Sequence, residues 1–353
     1  MKLVQSRRDI LKGLAATPLL GQLGSPTAAA QSAASSATAE PGAKPSLSLW
    51  STTLQWTPDM DEVCAVTAEA GYKSIAWTVR PGAHIVAANV ERDLPKAVEA
   101  AKKAGLTSPM IVTPLVDAKS PGAEAILAAM QSAGIRYYRG NLLGMYDYTK
   151  PLVPQLEAIK PRIASLVKLN EKYGTTVMYN NESLGNAIGS GIWDLWTALK
   201  DFDPAQAGIS YNIGHATVRG GTDWWVTIRF AAKYIVGFSL GDFRWVKKTD
   251  PVRGPRRTDA DPSWAWAAEW VAPGDGMVNF KATFESLKTI GFTGPIHVFN
   301  EYFVYVPTVA DPINMLGAGI GTYKLQMPKE LYVDYLKRDF NFYSKLMTDA
   351  QLI

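Results

Sequence analysis

Three carboxylates and two imidazoles sit in short polar clusters, each at the end of a run of β-forming residues. Glu182 closes Tyr179-Asn180-Asn181-Glu182, Asp242 opens Asp242-Phe243-Arg244-Trp245, and Glu301 stands between Asn300 and Tyr302. His84 ends Arg80-Pro81-Gly82-Ala83-His84, and His215 lies within Tyr211-Asn212-Ile213-Gly214-His215-Ala216. Side chains of these types, converging from different elements, suit hydrolysis, isomerisation or proton abstraction beside a carbonyl. Around Glu182, His215 and Glu301 as the acid–base candidates, His84, Arg139, Asn181, Asn212, Arg244 and Trp245 offer donors and an aromatic face for a bound substrate. Glu301 is the strongest candidate, because a carboxylate at the end of a buried strand is costly unless it is partnered. Glu182 is weaker, since Ser183 and Gly185 suggest a chain already turning into loop. Asp242 fits equally an ion pair with Arg244 or Arg139, and His215 fits equally a core histidine bonded to backbone. His297 shares the strand parity of Phe299 and Glu301, deeper in the same face, where packing is its expected role.

The elements that must position these groups alternate regularly from Leu47 onward. Strand-like runs cover Leu47–Gln55, Ser74–Arg80, Pro109–Leu115, Tyr137–Leu143, Thr175–Glu182, Gly208–Ala216, Tyr234–Asp242 and Pro295–Tyr302. Helical patterns lie between them: Asp59–Ala70, Leu94–Ala104, Ala123–Ser132, Val153–Tyr173, Trp193–Lys200, Trp224–Lys233 and Phe280–Ile290, with Lys329–Lys345 after the last strand. Gly71, Gly105, Gly134, Gly174 and Gly291 follow helices as left-handed caps would. Eight strand–helix repeats predict an α/β fold, a single-domain (β/α)8 TIM barrel over residues 47–353. In such a barrel the polar clusters fall at the C-terminal strand ends, the catalytic face. Residues 243–278 and 303–328 exceed ordinary connections and are expected as lids or substrate walls there. The first of these loops holds Trp245, Trp264, Trp266 and Trp270, which suit stacking on sugar rings or anchoring the loop itself. It also carries Lys247, Lys248, Arg253, Arg256 and Arg257, a solvated face or an anion-facing one.

Of the 353 residues, 47% are hydrophobic and 19% charged, too apolar for a disordered chain, yet no uninterrupted apolar run reaches the ~18–20 residues of a membrane span. The net charge is +4, but Lys2, Arg7, Arg8 and Lys12 against Asp9 place most of it in the first dozen residues. The near-neutral remainder argues against nucleic-acid binding. A single cysteine, Cys64, excludes an internal disulfide and reads as a small core residue. Ser6-Arg7-Arg8-Asp9-Ile10-Leu11-Lys12, a weakly apolar stretch from Gly13 to Leu23 and Ala28-Ala29-Ala30 together form a twin-arginine export signal over residues 1–30. A flexible linker follows over 31–46. The expected mature protein is periplasmic or otherwise extracytoplasmic, with the Tat machinery as its export partner.

The clusters Arg80-Pro81-Gly82-Ala83-His84, Asn89-Val90-Glu91-Arg92-Asp93-Leu94-Pro95, Tyr137-Tyr138-Arg139, Gly214-His215-Ala216, Asp242-Phe243-Arg244-Trp245 and Gly294-Pro295-Ile296 leading to Glu301-Tyr302 resemble, in colinear order, the sugar phosphate isomerase/epimerase family with a xylose isomerase-like TIM barrel. More narrowly they resemble an exported subgroup. The resemblance implies a divalent metal held by carboxylates and a histidine at the strand ends, polarising a sugar carbonyl or hydroxyl while an acid–base pair moves a proton. This chain departs from that pattern. Glu182 stands where the resembling proteins carry histidine, Asn212 where they carry aspartate, Gly241 where lysine is commoner, and Phe299 where they carry histidine. Glu182, His215, Asp242 and Glu301 remain as a metal set of one imidazole and three carboxylates, suited to Mn²⁺ or Mg²⁺ and tolerant of Zn²⁺. No organic cofactor is implied. The expected activity is a metal-assisted sugar isomerase or epimerase, or a related lyase, acting on a small sugar or sugar derivative. Two alternatives stay open: a carbohydrate-binding barrel without catalysis, and a metal-independent glycoside-cleaving enzyme using Glu182 and Glu301 as a carboxylate pair.

Overall fold

The computed structural model of the protein describes residues 44–353 apart from 184, 253, 258–264, 310 and 318. The expected export signal, the linker up to residue 43, Arg253 and Trp264 lie outside the described residues. Eight parallel strands close into a barrel: β1 (Leu47–Trp50), β2 (Ser74–Thr78), β3 (Thr107–Val112), β4 (Tyr137–Arg139), β5 (Thr176–Asn180), β6 (Ala207–Asn212), β7 (Ile235–Leu240) and, after an excursion, β11 (Ile296–Val298). Each pairs with its sequence neighbour around the ring, and β11 closes it against β1 with Leu47 opposite Ile296 and Ser48 opposite His297. The chain is therefore the TIM barrel that the eight repeats predict.

Helices α1 (Met60–Glu69), α2 (Val90–Lys103), α3 (Ala123–Ser132), α4 (Leu152–Tyr173), α5 (Ile192–Leu199), α6 (Ile213–Gly220), α7 (Trp224–Phe230), α8 (Phe280–Thr289) and α9 (Lys329–Asp349) complete the repeats. Their starts follow local chemistry. Asp59 caps α1 by accepting from the Asp61 amide, and Asn279 caps α8 by accepting from Ala282. Gly174 ends α4 at φ 66°, where a side chain would be strained. None of the described helices is long and apolar enough to cross a membrane.

Most of the apolar side chains pack between barrel and helices in one large cluster, which includes Cys64, Trp77, Tyr138, Phe238 and Leu336. A separate small cluster fills the barrel interior: Trp50, Ala76, Met110, Val112, Met178 and Phe299. Below it the interior turns polar, with Ser48 bonded to Ser74 at 2.9 Å and Ser210 to Ser239 at 3.0 Å. His297 lies in this belt, fully buried, with Nε2 3.2 Å from Ser239 Oγ. Burial, with Arg139 adding to it, depresses its pKa to about 3, so it is a neutral packing histidine at ordinary pH.

The strands are shorter than the expected runs, the eighth spanning only Ile296–Val298 and the fourth only Tyr137–Arg139, and two of the boundaries have a visible cause. The sixth run ends at Asn212 and turns directly into α6, because the Asn212 side chain caps the helix by accepting from the His215 amide at 3.0 Å. The first run bends at Ser51 into a 3-10 turn over Ser51–Leu54, whose Ser51 and Thr52 hydroxyls engage Thr78 on β2.

The long connection after β7 is a wall built from β8 (Asp242–Lys247), β9 (Arg256–Arg257) and β10 (Trp266–Val271), paired antiparallel in the order β8-β10-β9. The connection after β11 forms a small hairpin, β12 (Phe303–Val304) with β13 (Ile313–Asn314).

Candidate active site at the barrel mouth

Strand parity decides which side chains reach the barrel axis. Along β5, Met178 belongs to the interior cluster, so Asn180 and Glu182 share its face while Asn181 points the other way. Asn181 accordingly binds backbone: its Nδ2 donates to the Asn212 carbonyl at 3.0 Å and its Oδ1 accepts from the Asn212 amide at 2.7 Å. Asn212 caps α6 through its Oδ1. These two candidate substrate ligands are therefore the joint between β5, β6 and α6.

Glu182 is the centre of the site. Oε1 accepts from Arg139 Nη2 at 3.0 Å and from Asn180 Nδ2 at 3.1 Å, while Oε2 lies 3.2 Å from His215 Nε2. His215 Nδ1 is in turn 2.9 Å from Ser183 Oγ. The side chains are nearly enclosed, 15% exposed for Arg139, 9% for Glu182 and 4% for His215, so charge here acts in a low-dielectric setting. His215 lies in the first turn of α6 rather than on a strand, and its ring meets the edge of Trp270 from the wall, centroids 5.0 Å apart. Glycine at 214 permits this approach, since a Cβ there would come within 3.0 Å of the Trp270 ring and 2.7 Å of the Gly241 carbonyl.

Across the ring, Glu301 follows β11 on the parity of His297 and Phe299 and is half-buried. Arg80, at the end of β2, feels its charge, and burial together with Arg139 holds the Arg80 pKa below its usual value. Two cation–aromatic contacts tie the halves to the apolar floor: Arg80 over Trp50 at 5.6 Å and Arg139 over Phe299 at 5.2 Å. Trp50 and Phe299 themselves meet edge to face at 4.8 Å. Arg80, Asn180, Ser183 and Trp50 thus join the candidate site, although the polar clusters in the sequence do not single them out. Period-two counting back from Glu182 would have found Asn180.

The remaining candidates lie elsewhere. His84 Nε2 bonds the Thr57 carbonyl at 3.1 Å, its ring packs on Trp77 in the outer core, and burial lowers its pKa. Arg244 forks onto Glu269 Oε2 at 3.0 and 2.8 Å, and Arg256 takes Oε1 of the same fully buried carboxylate. Trp245 packs in the wall beside Phe243, Ala268 and Trp270.

Asp242 pairs with neither Arg244 nor Arg139. Its oxygens accept four backbone N–H groups, from Phe243 at 2.8 Å, Gly274 at 2.9 Å, Gly276 at 3.0 Å and Val278 at 3.2 Å, while burial pushes its pKa up to about 6. The carboxylate folds the end of the wall back onto β8. Asp242 is thereby withdrawn from the proposed metal set, Glu182 is engaged at both oxygens, and Phe299 closes the floor. Among the described residues no three His, Cys, Asp or Glu side chains are placed to share a metal ion. Of the four residues expected as a metal set, Glu182 and His215 are brought together, Asp242 is held by backbone amides instead, and Glu301 approaches from a different wall of the barrel.

Residues 64–318 match the family model described as "Xylose isomerase-like TIM barrel". Similar solved structures include a D-psicose 3-epimerase with D-tagatose from Clostridium cellulolyticum H10, 14% identical, with 86% of this chain and 99% of that one covered at a TM-score of 0.60. An L-ribulose 3-epimerase is 14% identical, with 87% and 96% covered at 0.57. A 3-keto-D-glucoside 4-epimerase from E. coli is 13% identical, with 86% and 100% covered at 0.56. No curated protein matches the chain in sequence at a significant level.

Proposed function

The chain belongs to the xylose isomerase-like TIM-barrel family, and from that premise we propose that it is a sugar epimerase or isomerase that moves a proton on carbon next to a carbonyl. The observation that carries the reading is the shared carboxylate of Glu182, held between the Arg139 guanidinium and the His215 imidazole at the catalytic end of the barrel. Glu182 faces the axis and acts as base toward the substrate C–H. His215, whose second nitrogen is held by Ser183, takes up the proton at Nε2. The enolate oxygen that develops is met by the guanidiniums of Arg139 and Arg80, whose planes are already fixed over Phe299 and Trp50, so little reorganisation accompanies the charge.

Glu301 supplies the second carboxylate. β11 and β5 are separated around the ring by β7 and β6 one way and by four strands the other, so Glu301 and Glu182 approach the axis from different walls. Epimerisation requires removal of a proton from one face of a carbon and delivery of another to the opposite face: Glu182 with His215 keeps the proton removed, Glu301 enters protonated and gives its own, and exchange with solvent resets both groups. Support for a sugar substrate comes from the structural neighbours, a D-psicose 3-epimerase that holds D-tagatose and a 3-keto-D-glucoside 4-epimerase.

The test is wash-in of solvent deuterium at the carbon beside the carbonyl of D-fructose or D-tagatose, followed by proton NMR without added metal. Site-specific exchange that Glu182→Gln abolishes is expected. Sugar binding without exchange would instead make the barrel a binding protein, and release of a free sugar from a glycoside would favour cleavage.

A further inference from the structure

The antiparallel wall has two faces, and they serve different neighbours. Phe243, Trp245, Ala268 and Trp270 point toward α6 and the mouth, where Trp270 meets His215. Arg244 and its cross-strand partner Glu269 point away. On that far side the wall, the segment Tyr302–Tyr305 and helix α9 enclose a cavity of about 450 Å³, within the ~300–1,000 Å³ range of small-molecule sites. Alternation sets it back to back with the mouth: Glu301 faces the axis, and Tyr302, the next residue, lines this cavity.

The chemistry of its lining is specific. Arg244 gives Nε and Nη2 to buried Glu269, and Arg338 gives Nε and Nη2 to buried Asp339, so each guanidinium is fixed along one edge and keeps Nη1 for another partner. Arg338 is further clamped between the rings of Tyr302 at 5.5 Å and Tyr335 at 5.2 Å, while its side chain stays 45% exposed. Asp275 adds an exposed acceptor. A purely anionic ligand would meet Asp275 and the two carboxylates that already neutralise the arginines. A hydrophobic one would leave the guanidinium edges unpaired. Fixed donors, one acceptor and aromatic faces together match a ring bearing both hydroxyl hydrogens and hydroxyl oxygens on an apolar skeleton.

We propose that this cavity is a second binding site, separate from the mouth, for a neutral saccharide. The proposal goes beyond the reaction assigned to the mouth and does not depend on it.

The experiment is saturation-transfer NMR on the full chain with D-glucose, D-fructose and cellobiose as probes and D-gluconate as the anionic comparison. The variants are Tyr335→Ala, Asp275→Asn and, for the mouth, Glu182→Gln. The side chains of Tyr335 and Asp275 make no hydrogen bond among the described residues, and near-wild-type melting temperatures confirm that each variant folds. At least one neutral probe is expected to give a signal that falls fivefold or more in Tyr335→Ala and Asp275→Asn and persists in Glu182→Gln. A signal lost only in Glu182→Gln, a signal for D-gluconate alone, or no signal from any probe would each overturn the assignment.

Discussion

Replacing Glu182 by glutamine removes one charge and almost no volume, which makes it the sharpest perturbation of the mouth. The amide oxygen can still accept from Arg139 and Asn180, now 3.0 and 3.1 Å away, so the scaffold contacts persist. What changes is the grade of the Arg139 contact. The ion pair becomes a bond from a charged guanidinium to a neutral amide oxygen, a partial loss from the ~1.5–3 kcal/mol of bonds to charged groups, so the fold should lose about 1–2 kcal/mol, a few degrees of melting temperature. The amide turns an N–H₂ toward His215 Nε2, which then accepts instead of exchanging a proton. Loss of a positioned base costs ~10²–10⁴ in rate, or about 2.7–5.4 kcal/mol of barrel-mouth chemistry. The kinetic effect should therefore exceed the stability effect. If Glu182 and His215 act as one unit, His215→Gln should produce a comparable loss and the double variant hardly more. Deuterium wash-in rates and thermal melts on the three proteins decide the matter. Exchange within about tenfold of wild type in Glu182→Gln, or losses that multiply in the double variant, would refute the shared-proton argument.

The other predictions address separate parts of the chain. Glu301→Gln should leave melting close to wild type and lower deuterium exchange by ~10²–10⁴; a destabilised protein with intact turnover would make Glu301 structural. His297 has a folded pKa of about 3 against 6.5 unfolded, so below pH 6.5 the unfolded chain takes up a proton that the native chain refuses. Stability should fall by up to about 1.4 kcal/mol per pH unit toward pH 3, and denaturant melts of His297→Asn should lack that component. Gly276→Ala would place a Cβ 2.4 Å from the Phe243 carbonyl and against Asp242, so calorimetry should show a loss of order 1–3 kcal/mol. If residues 1–30 act as the twin-arginine signal expected from the sequence, Arg7→Lys with Arg8→Lys should retain the precursor in the cytoplasm, read by cell fractionation.

The barrel was legible because its periodicity is carried by many residues at once: eight buried runs and the helices between them outvote any local irregularity. The site was legible by position and only partly by role. Glu182, His215, Arg139 and Glu301 do gather at the mouth, yet Glu182 looked weak because Ser183 and Gly185 signal a turn. That same turn lets Ser183 reach His215 Nδ1. Asn181 and Asn212 are polar residues at strand ends, where only counting parity from Met178 separates a side chain on the axis from one that joins two elements. Asp242 could not be read at all from its neighbours in sequence, since three of its four donors come from residues 274–278, beyond the whole length of the wall.

That wall explains why the polar clusters after β7 and β11 do two jobs. Once Asp242 binds the returning loop, β8 and β10 must lie with one face on α6 and the other toward α9. On the first face, Trp270 closes the mouth against His215. On the second, Arg244 and Glu269 are committed to an ion pair that cannot also serve the barrel axis. Asp339 completes the division from α9: its Oδ2 accepts from Asn300 at 2.7 Å and from Tyr302 at 2.5 Å, the two residues that flank Glu301. A single buried carboxylate thus holds both neighbours of Glu301 and, through Arg338, one side of the second cavity. The carboxylates Asp242, Glu269 and Asp339 build the frame, and Glu182 and Glu301 are the two that face the axis.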